Sequence, residues 1–519
     1  MRAALIVLAL AAAAPARADD PRPSEGDLFG APAAPTSTDG GTPAPSPETP
    51  SGNAPQVPPG DRDAALLGSG PPPVEAPREL TADNPLTIGG QFYLRSVLTG
   101  SELTLPSGWD LVRPTPPSGW GLALPTLTDI YGDARPNERV RGYFRGRMAF
   151  DPTVDPSMAA GFGPAPTNAP TFALDQLWLR FDIDHKAYVT AGRQQVKWAA
   201  ARFWTPTDYL HPVKRDPLAV FDERTGTTML RVDVPTEKGI NVSAAALFEG
   251  VDYANQLGKV AGAARAEFVL GASEIGVDAI AEKGRSPRLG GDISFGLWLF
   301  DFYGELGVRD PGEVTLLRRS APGSLFPFET FTPSGSFGLP WAVQATGGVS
   351  STFKYGERDN STLTVGLEYF NNDALGVDDP SVYPFMLAAP TIAAKLPAAF
   401  ASQPGLAGLG NVSFPFFYVG KQYLGLFVLL PQPGDWLNTS FTFSTLGNLA
   451  DKSFVSRLDL SQIVLTNLTL EAYGDVHWGE AGGEFRLGFD LPANRLAGTP
   501  EIRVNPALFD VGLALRLSI

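Results

Sequence analysis

The chain has no cysteine, three histidines and five methionines in 519 residues. The missing cysteine excludes disulfides, thiolate metal sites, cysteine nucleophiles and a lipid anchor on an N-terminal Cys. After the N-terminus there is no run of 18 or more apolar residues, which excludes a membrane-spanning helix. Cationic excess is missing as well. Forty Lys and Arg stand against 55 Asp and Glu, a net charge of −15, so nucleic acid is not an expected partner. The three histidines, His185, His211 and His477, have no second ligand at metal-binding spacing and no serine two residues away, as the His-x-Ser arrangement of outer-membrane phospholipases would need. A Ser-His-Asp set assembled in space stays open, since triads follow geometry rather than order, but no enzyme and no cofactor is expected.

Glycine (56), proline (49) and phenylalanine (32) are plentiful. Arg2, the apolar stretch Ala3 to Ala14 and Ala16-Arg17-Ala18 read as an export signal over 1–18, cleaved before Asp19. Residues 19–80 are rich in Pro, Ala, Gly, Ser and Thr, as in Pro71-Pro72-Pro73, and are expected to be a disordered, partly polyproline-like periplasmic segment. Within it, Asp27-Leu28-Phe29-Gly30 is either a docking motif or a chance apolar pair.

From residue 81 to 519 the pattern is uniform. Segments of about ten residues alternate in polarity between turns rich in Gly, Pro, Asn and Asp. Val140, Phe144, Met148 and Phe150 alternate with Arg141, Tyr143, Arg145 and Arg147. Leu177, Leu179, Phe181 and Ile183 alternate with Trp178, Arg180 and Asp182, and Phe485, Leu487, Phe489 and Leu491 with Glu484, Arg486 and Asp490. Side chains on a strand point alternately to its two faces, so each segment has one apolar and one polar face. A soluble sandwich shares this feature. The export signal, the absence of a domain break and the aromatics near segment ends (Trp298, Trp341, Trp436, Trp478) favour an all-β, antiparallel, up-and-down transmembrane β-barrel of about 18 strands, within 16 to 20. The final segment, Phe509, Val511, Leu513, Leu515, Leu517 and Ile519 at every second position, is expected to close the barrel. It resembles the terminal strand of bacterial outer-membrane barrels, with Ile519 where that family's assembly signal has Phe or Trp. That resemblance implies outer-membrane lipid and the barrel-assembly machinery as partners.

Gly312 to Pro340 and Asp373 to Val412 are expected as long loops that gate, plug or bind, the second with a short helix around Ile392 to Ala401. Asp373, Asp378 and Asp379 in the second loop are either a calcium site or a solvated acidic stretch. Gly192-Arg193-Gln194, Lys197-Trp198 and Arg202-Phe203-Trp204 resemble the alginate-export type of barrel and related porin-like families. The run Phe441 to Leu449, with Arg457-Leu458-Asp459 and Glu484-Phe485-Arg486-Leu487, is similar to barrels of exopolysaccharide export in myxobacteria. The resemblance implies passive passage of a hydrophilic solute or anionic polysaccharide past basic lumen residues, with a periplasmic export protein as a partner. Arg95, Arg141, Arg145, Arg147 and Arg180 lie on polar strand faces, and Arg193, Lys197 and Arg202 follow in the next segment. They are expected either to line the lumen as a positive patch or to pair with carboxylates of neighbouring strands or an in-folded loop. General diffusion, or a scaffold or adhesin acting through long loops, are the alternative functions.

Overall fold

The computed structural model describes residues 85–101, 120–153, 169–211, 214–219, 224–236, 239–248, 260–356, 361–396, 403–491 and 502–519. The export signal, the Pro-rich segment and its Asp27 to Gly30 patch lie outside the described residues. Eighteen antiparallel strands form one closed sheet. The first nine are β1 (Leu86–Gly100), β2 (Trp120–Ala123 continuing as Thr126–Asn137), β3 (Val140–Phe150), β4 (Thr171–Ile183), β5 (Ala187–Gln194), β6 (Thr227–Pro235), β7 (Ile240–Leu247), β8 (Ala261–Leu270) and β9 (Ser273–Glu282). The second nine are β10 (Arg288–Leu297), β11 (Phe300–Arg309), β12 (Ala342–Lys354), β13 (Thr362–Asn371), β14 (Gln422–Pro431), β15 (Thr439–Asn448), β16 (Ser453–Leu465), β17 (Leu468–Gly479) and β18 (Phe509–Ser518). The two pieces of β2 run in series along β1, interrupted at Leu124-Pro125, because Pro125 has no N–H to give the ladder.

Each strand pairs with the next, and β18 returns to β1 in the register Gln91↔Ser518 to Gly100↔Phe509. Gly90 and Ile519 exchange backbone hydrogen bonds at 3.1 and 2.9 Å beyond that ladder. Among the described residues the barrel sheet has no open edge, so each of its strands has a neighbour on both sides without water. The alternation has its expected outcome on β3 and β4. Phe144, Leu177, Leu179 and Phe181 are exposed on the outside, while Arg145 and Arg147 are buried on the inside. Large apolar residues are exposed around the wall, among them Ile88, Leu289, Leu306, Leu367, Leu470 and Leu513. In water such a belt would drive aggregation, whereas lipid covers it.

The two rims differ. At one, strands join through short turns such as Glu138-Arg139, Gly271-Ala272, Trp298-Leu299 and Thr466-Asn467. At the other lie the long connections 195–226, 310–341, 372–421 and 480–508. The connections 310–341 and 372–421 build a small apolar core of their own. A hairpin (Leu316–Arg319 with Phe328–Phe331) packs Leu317 and Phe328 against helix α1 (Tyr383–Lys395), which buries Tyr383, Met386 and Ala389. The helix begins nine residues before the expected start at Ile392, with Pro384 in its first turn and Pro390 inside. Interior proline costs a helix one hydrogen bond and some strain, and the packed face around Met386 supplies the stability that offsets it. A second correction concerns Glu484 to Leu491. Glu484–Arg486 is a 3₁₀ turn with Glu484 and Phe485 buried, and Phe489–Leu491 pairs with Ile502–Val504 in a two-stranded sheet apart from the barrel, so this alternation is a loop rather than a barrel strand.

Candidate functional site: an in-folded loop and a basic cavity

The connection 195–226 turns into the barrel. Residues 201 to 211 are almost fully enclosed, with Trp204 and Thr207 at 0 % exposure. A loop carrying this many backbone N–H groups must find acceptors when water is removed. Two wall carboxylates supply them. Glu368 on β13 accepts from the N–H of Arg202 (2.9 Å), Phe203 (3.0 Å) and Trp204 (2.8 Å), and from the Tyr303 hydroxyl (2.9 Å). Glu305 on β11 accepts from the N–H of Ala201 (2.6 Å) and the Thr207 hydroxyl (2.9 Å). Space for the loop comes from small residues. Ala245, Ala261 and Ala263 line β7 and β8 beneath Val196, Trp198 and Leu210. A Cβ on Gly425 would lie 2.6 Å from the Phe203 ring, and one on Gly307 would lie 2.6 Å from the Tyr209 hydroxyl.

Two further loops meet this one. Trp204 Nε1 donates to the Phe417 carbonyl at 2.8 Å, and its ring packs on Phe370 and Tyr423. Glu484, from the connection 480–508, accepts from the Phe417 N–H, the Tyr423 hydroxyl (2.6 Å) and Asn448 Nδ2 (3.0 Å). Burial, with Asp451 close by, pushes the Glu484 carboxyl up to about 8.

Between the loops and the wall lies a cavity of about 770 Å³. Its cationic lining is Arg95 from β1, Arg457 from β16, and Lys214, Arg215 and Arg224 from the in-folded loop; Asp216, Asp475 and Glu484 are the acidic groups. Five cationic side chains stand against three carboxylates, so cationic groups predominate. Arg95 has no ion pair and no side-chain hydrogen bond among the described residues. Arg457 stacks on Tyr473 at 3.8 Å and pairs with Asp459 and Asp475. Burial lowers the Lys214 ammonium to about 8.

The arginines singled out in the sequence separate into groups. Arg141 pairs with Asp133 at 2.9 Å; Arg147 pairs with Asp129 at 2.9 Å and Asp175 at 3.4 Å; Arg145 lies 3.7 and 3.6 Å from the same two carboxylates. Arg180 lies 3.9 Å from Asp233 and over the Tyr188 ring. Arg202 rests over Phe427 at 4.4 Å, and burial lowers its guanidinium to about 10. Lys197 sits in the in-folded loop, between Val196 and the buried Trp198. Arg193 stands opposite Leu177, on the outward parity of β5 shared with Ala191, and bonds the Thr225 hydroxyl at 3.0 Å. It therefore leaves the inner row. Gly192, at φ +127°, is the only residue type that fits there without strain: a Cβ would fall 2.1 Å from the Leu177 carbonyl. Lys214, Arg215 and Arg457 were not singled out as lumen residues. Arg457 was open to discovery, because it shares the inward parity of the buried Val455. Lys214 and Arg215 lie in a loop without periodicity.

No protein-family model matches the chain, and neither does any curated protein. The structure is similar to OccAB3 of Acinetobacter baumannii (TM-score 0.45, 9% identity, covering 83% of this chain and 99% of that one). It is also similar to OccAB1 of the same organism (TM-score 0.44, 11% identity, 83% and 96%) and to OccK5 (OpdH) of Pseudomonas aeruginosa (TM-score 0.42, 9% identity, 84% and 98%).

Proposed function

We propose that this protein is an outer-membrane channel that passes small hydrophilic solutes and favours anions. The observation that carries the reading is the basic cavity held between an in-folded loop and the wall of a closed barrel. The lipid-facing belt puts the barrel in a membrane, and short turns on one rim with long loops on the other match the periplasmic and outer sides of bacterial barrels. Confined by a low-dielectric wall, cationic groups raise the local concentration of anions and give selectivity without any reaction. Small solutes fit better than a polysaccharide. The loop that narrows the lumen is anchored by two buried carboxylates, so a polymer would need it displaced. Export of an acidic polymer, with a periplasmic export protein as partner, rests on the sequence stretches at Gly192 to Trp204 and Phe441 to Leu449.

Reconstitution in planar bilayers tests the reading. Open-channel conductance with an anion-biased reversal potential is expected, and Arg95→Ala should reduce the anion-to-cation permeability ratio about twofold or more. A purified barrel that never conducts would overturn the channel. A conducting barrel indifferent to Arg95→Ala would overturn the role of the cavity. Loss of surface polysaccharide in a deletion strain, with small-solute uptake unchanged, would favour polymer export instead.

A further inference from the structure

Arg193 lies on the membrane-facing side of the wall, away from the lumen. The outward row of β5 reads Val189, Ala191 and Arg193, two apolar residues and then a guanidinium. Arg193 is the last residue but one of the strand, at the end that leads into a long connection, which is the outer end of the wall. A charge on the lipid face costs little near the interface and more towards the midplane. The position becomes favourable where the lipid itself carries an anion.

The wall is stepped at this point. β5 ends at Gln194 and β6 begins at Thr227, because the chain between them turns into the barrel. β4 continues from Leu177, the last residue paired with β5, up to Thr171. The step leaves a recess of about 520 Å³. Leu174 and Leu177 of β4, both exposed on the outside, form its apolar side. Arg193, Thr228 of β6 and Thr225 form its polar side, with Arg193 opposite Leu177 on one flank and Thr228 on the other. Among the described residues no carboxylate lines the recess, and Arg193 is its one charged group. Arg193 Nη2 donates to Thr225 Oγ1 at 3.0 Å, which occupies one N–H of the planar fork and leaves the Thr225 hydroxyl its own proton to give.

We propose that this recess binds a phosphorylated glycolipid of the outer leaflet, of the lipid A type, with a phosphate on the Arg193 guanidinium and an acyl chain along Leu174 and Leu177. A guanidinium presents parallel N–H groups that match two phosphate oxygens, and the threonine hydroxyls on the same lining add donors. Burying the two leucines under an acyl chain supplies the apolar part of the affinity. Free phosphate would satisfy Arg193 and leave both leucines uncovered. A zwitterionic headgroup brings its own cation and gains less from Arg193.

Native mass spectrometry of the full chain in detergent tests the site with bisphosphorylated lipid A, the same lipid A with its phosphates removed, and phosphatidylglycerol. The wild type should retain bisphosphorylated lipid A about tenfold or more better than the dephosphorylated form, the size of charge-assisted hydrogen bonds. Phosphatidylglycerol, with a singly charged diester, should fall between them. Arg193→Gln keeps a donor for Thr225 and loses the charge. It should lower retention of bisphosphorylated lipid A about tenfold, with the compact gel form intact. Arg193→Lys, a point charge without the fork, should hold an intermediate level. Equal retention of the dephosphorylated lipid A would reduce the site to apolar adhesion, and equal retention of phosphatidylglycerol would reduce it to general attraction for anionic lipid; either result overturns the proposal. So does a folded Arg193→Gln that retains lipid A as the wild type does, since Arg193 is then a tie to Thr225 alone. The wild-type comparison needs no substitution, so a variant that fails to fold leaves the test standing.

Discussion

The carboxylate of Glu368 on β13 receives the backbone N–H of Trp204 at 2.8 Å, joining two residues 164 positions apart across the inside of the barrel. With the N–H groups of Arg202 and Phe203 on the same two oxygens, one wall side chain caps a whole turn of the in-folded loop. Replacing it with alanine leaves three enclosed backbone donors without an acceptor, each costing about 1–3 kcal/mol where it stays buried. Glu368→Ala is expected to release the loop and raise single-channel conductance, while the barrel keeps its fast-migrating unheated form on gels. Unchanged conductance in a folded Glu368→Ala channel would mean that the apolar packing of Trp204 holds the loop alone.

The ion pairs on β2 to β4 lead to a different expectation. Arg147 stands between Asp129 and Asp175, both at 1% side-chain exposure or less. Arg147→Ala leaves carboxylates enclosed with one fewer counter-charge, a loss on the order of 3 kcal/mol. The temperature at which the compact gel form unfolds should fall, and Asp129→Asn in the same chain should recover part of the loss, as coupled neighbours do. Ion selectivity should change little, in contrast to Arg95→Ala.

Lys214 makes selectivity depend on pH. Because burial lowers its ammonium to about 8, its charge disappears as pH rises through that value, whereas an exposed lysine stays charged to about 10.4. Anion selectivity should therefore decline between about pH 7 and 9, a decline to which Glu484, pushed up to about 8 on the same lining, adds as it ionises; Lys214→Met should start at a lower level and lose only the lysine's share of the decline. Linkage has the opposite sign for stability. From about pH 8 upward to the ordinary lysine range the unfolded chain binds the extra proton, so loop packing firms as pH rises. Reversal potentials across a pH series give the first quantity, and proteolysis of the loop gives the second.

What could be read from the sequence follows from where each signal resides. The alternation of Leu177, Leu179 and Phe181 with Trp178 and Arg180 is a local property, because lipid on one side and neighbours on the other impose it residue by residue. Even the neutralisation of Arg147 had a local trace, since Asp129 and Arg147 come to face each other across one hairpin. The in-folded loop had none. Its acceptors, Glu305 and Glu368, lie 98 or more residues further along the chain and look like ordinary inward carboxylates. Glu484 misled for the same reason: flanked by Phe485 and Leu487 it mimics a strand, while its partners Tyr423 and Asn448 lie on β14 and β15. Helix α1 was displaced because Pro390 reads as a helix breaker until Met386 and Ala389 are seen packed in a core.

The seam between β1 and β18 sets the order in which such a molecule can be made. Ser96 Oγ donates to the Leu513 carbonyl across 417 positions, so the first strand waits for almost the whole chain before it gains its second neighbour. Contacts this distant form last and slowly. Until they do, two apolar strands carry open hydrogen-bonding edges, the state in which sheets seek pairing with other chains. Both edges are satisfied only when Gly90 meets Ile519, so the seam is where the barrel stays open to wrong partners longest.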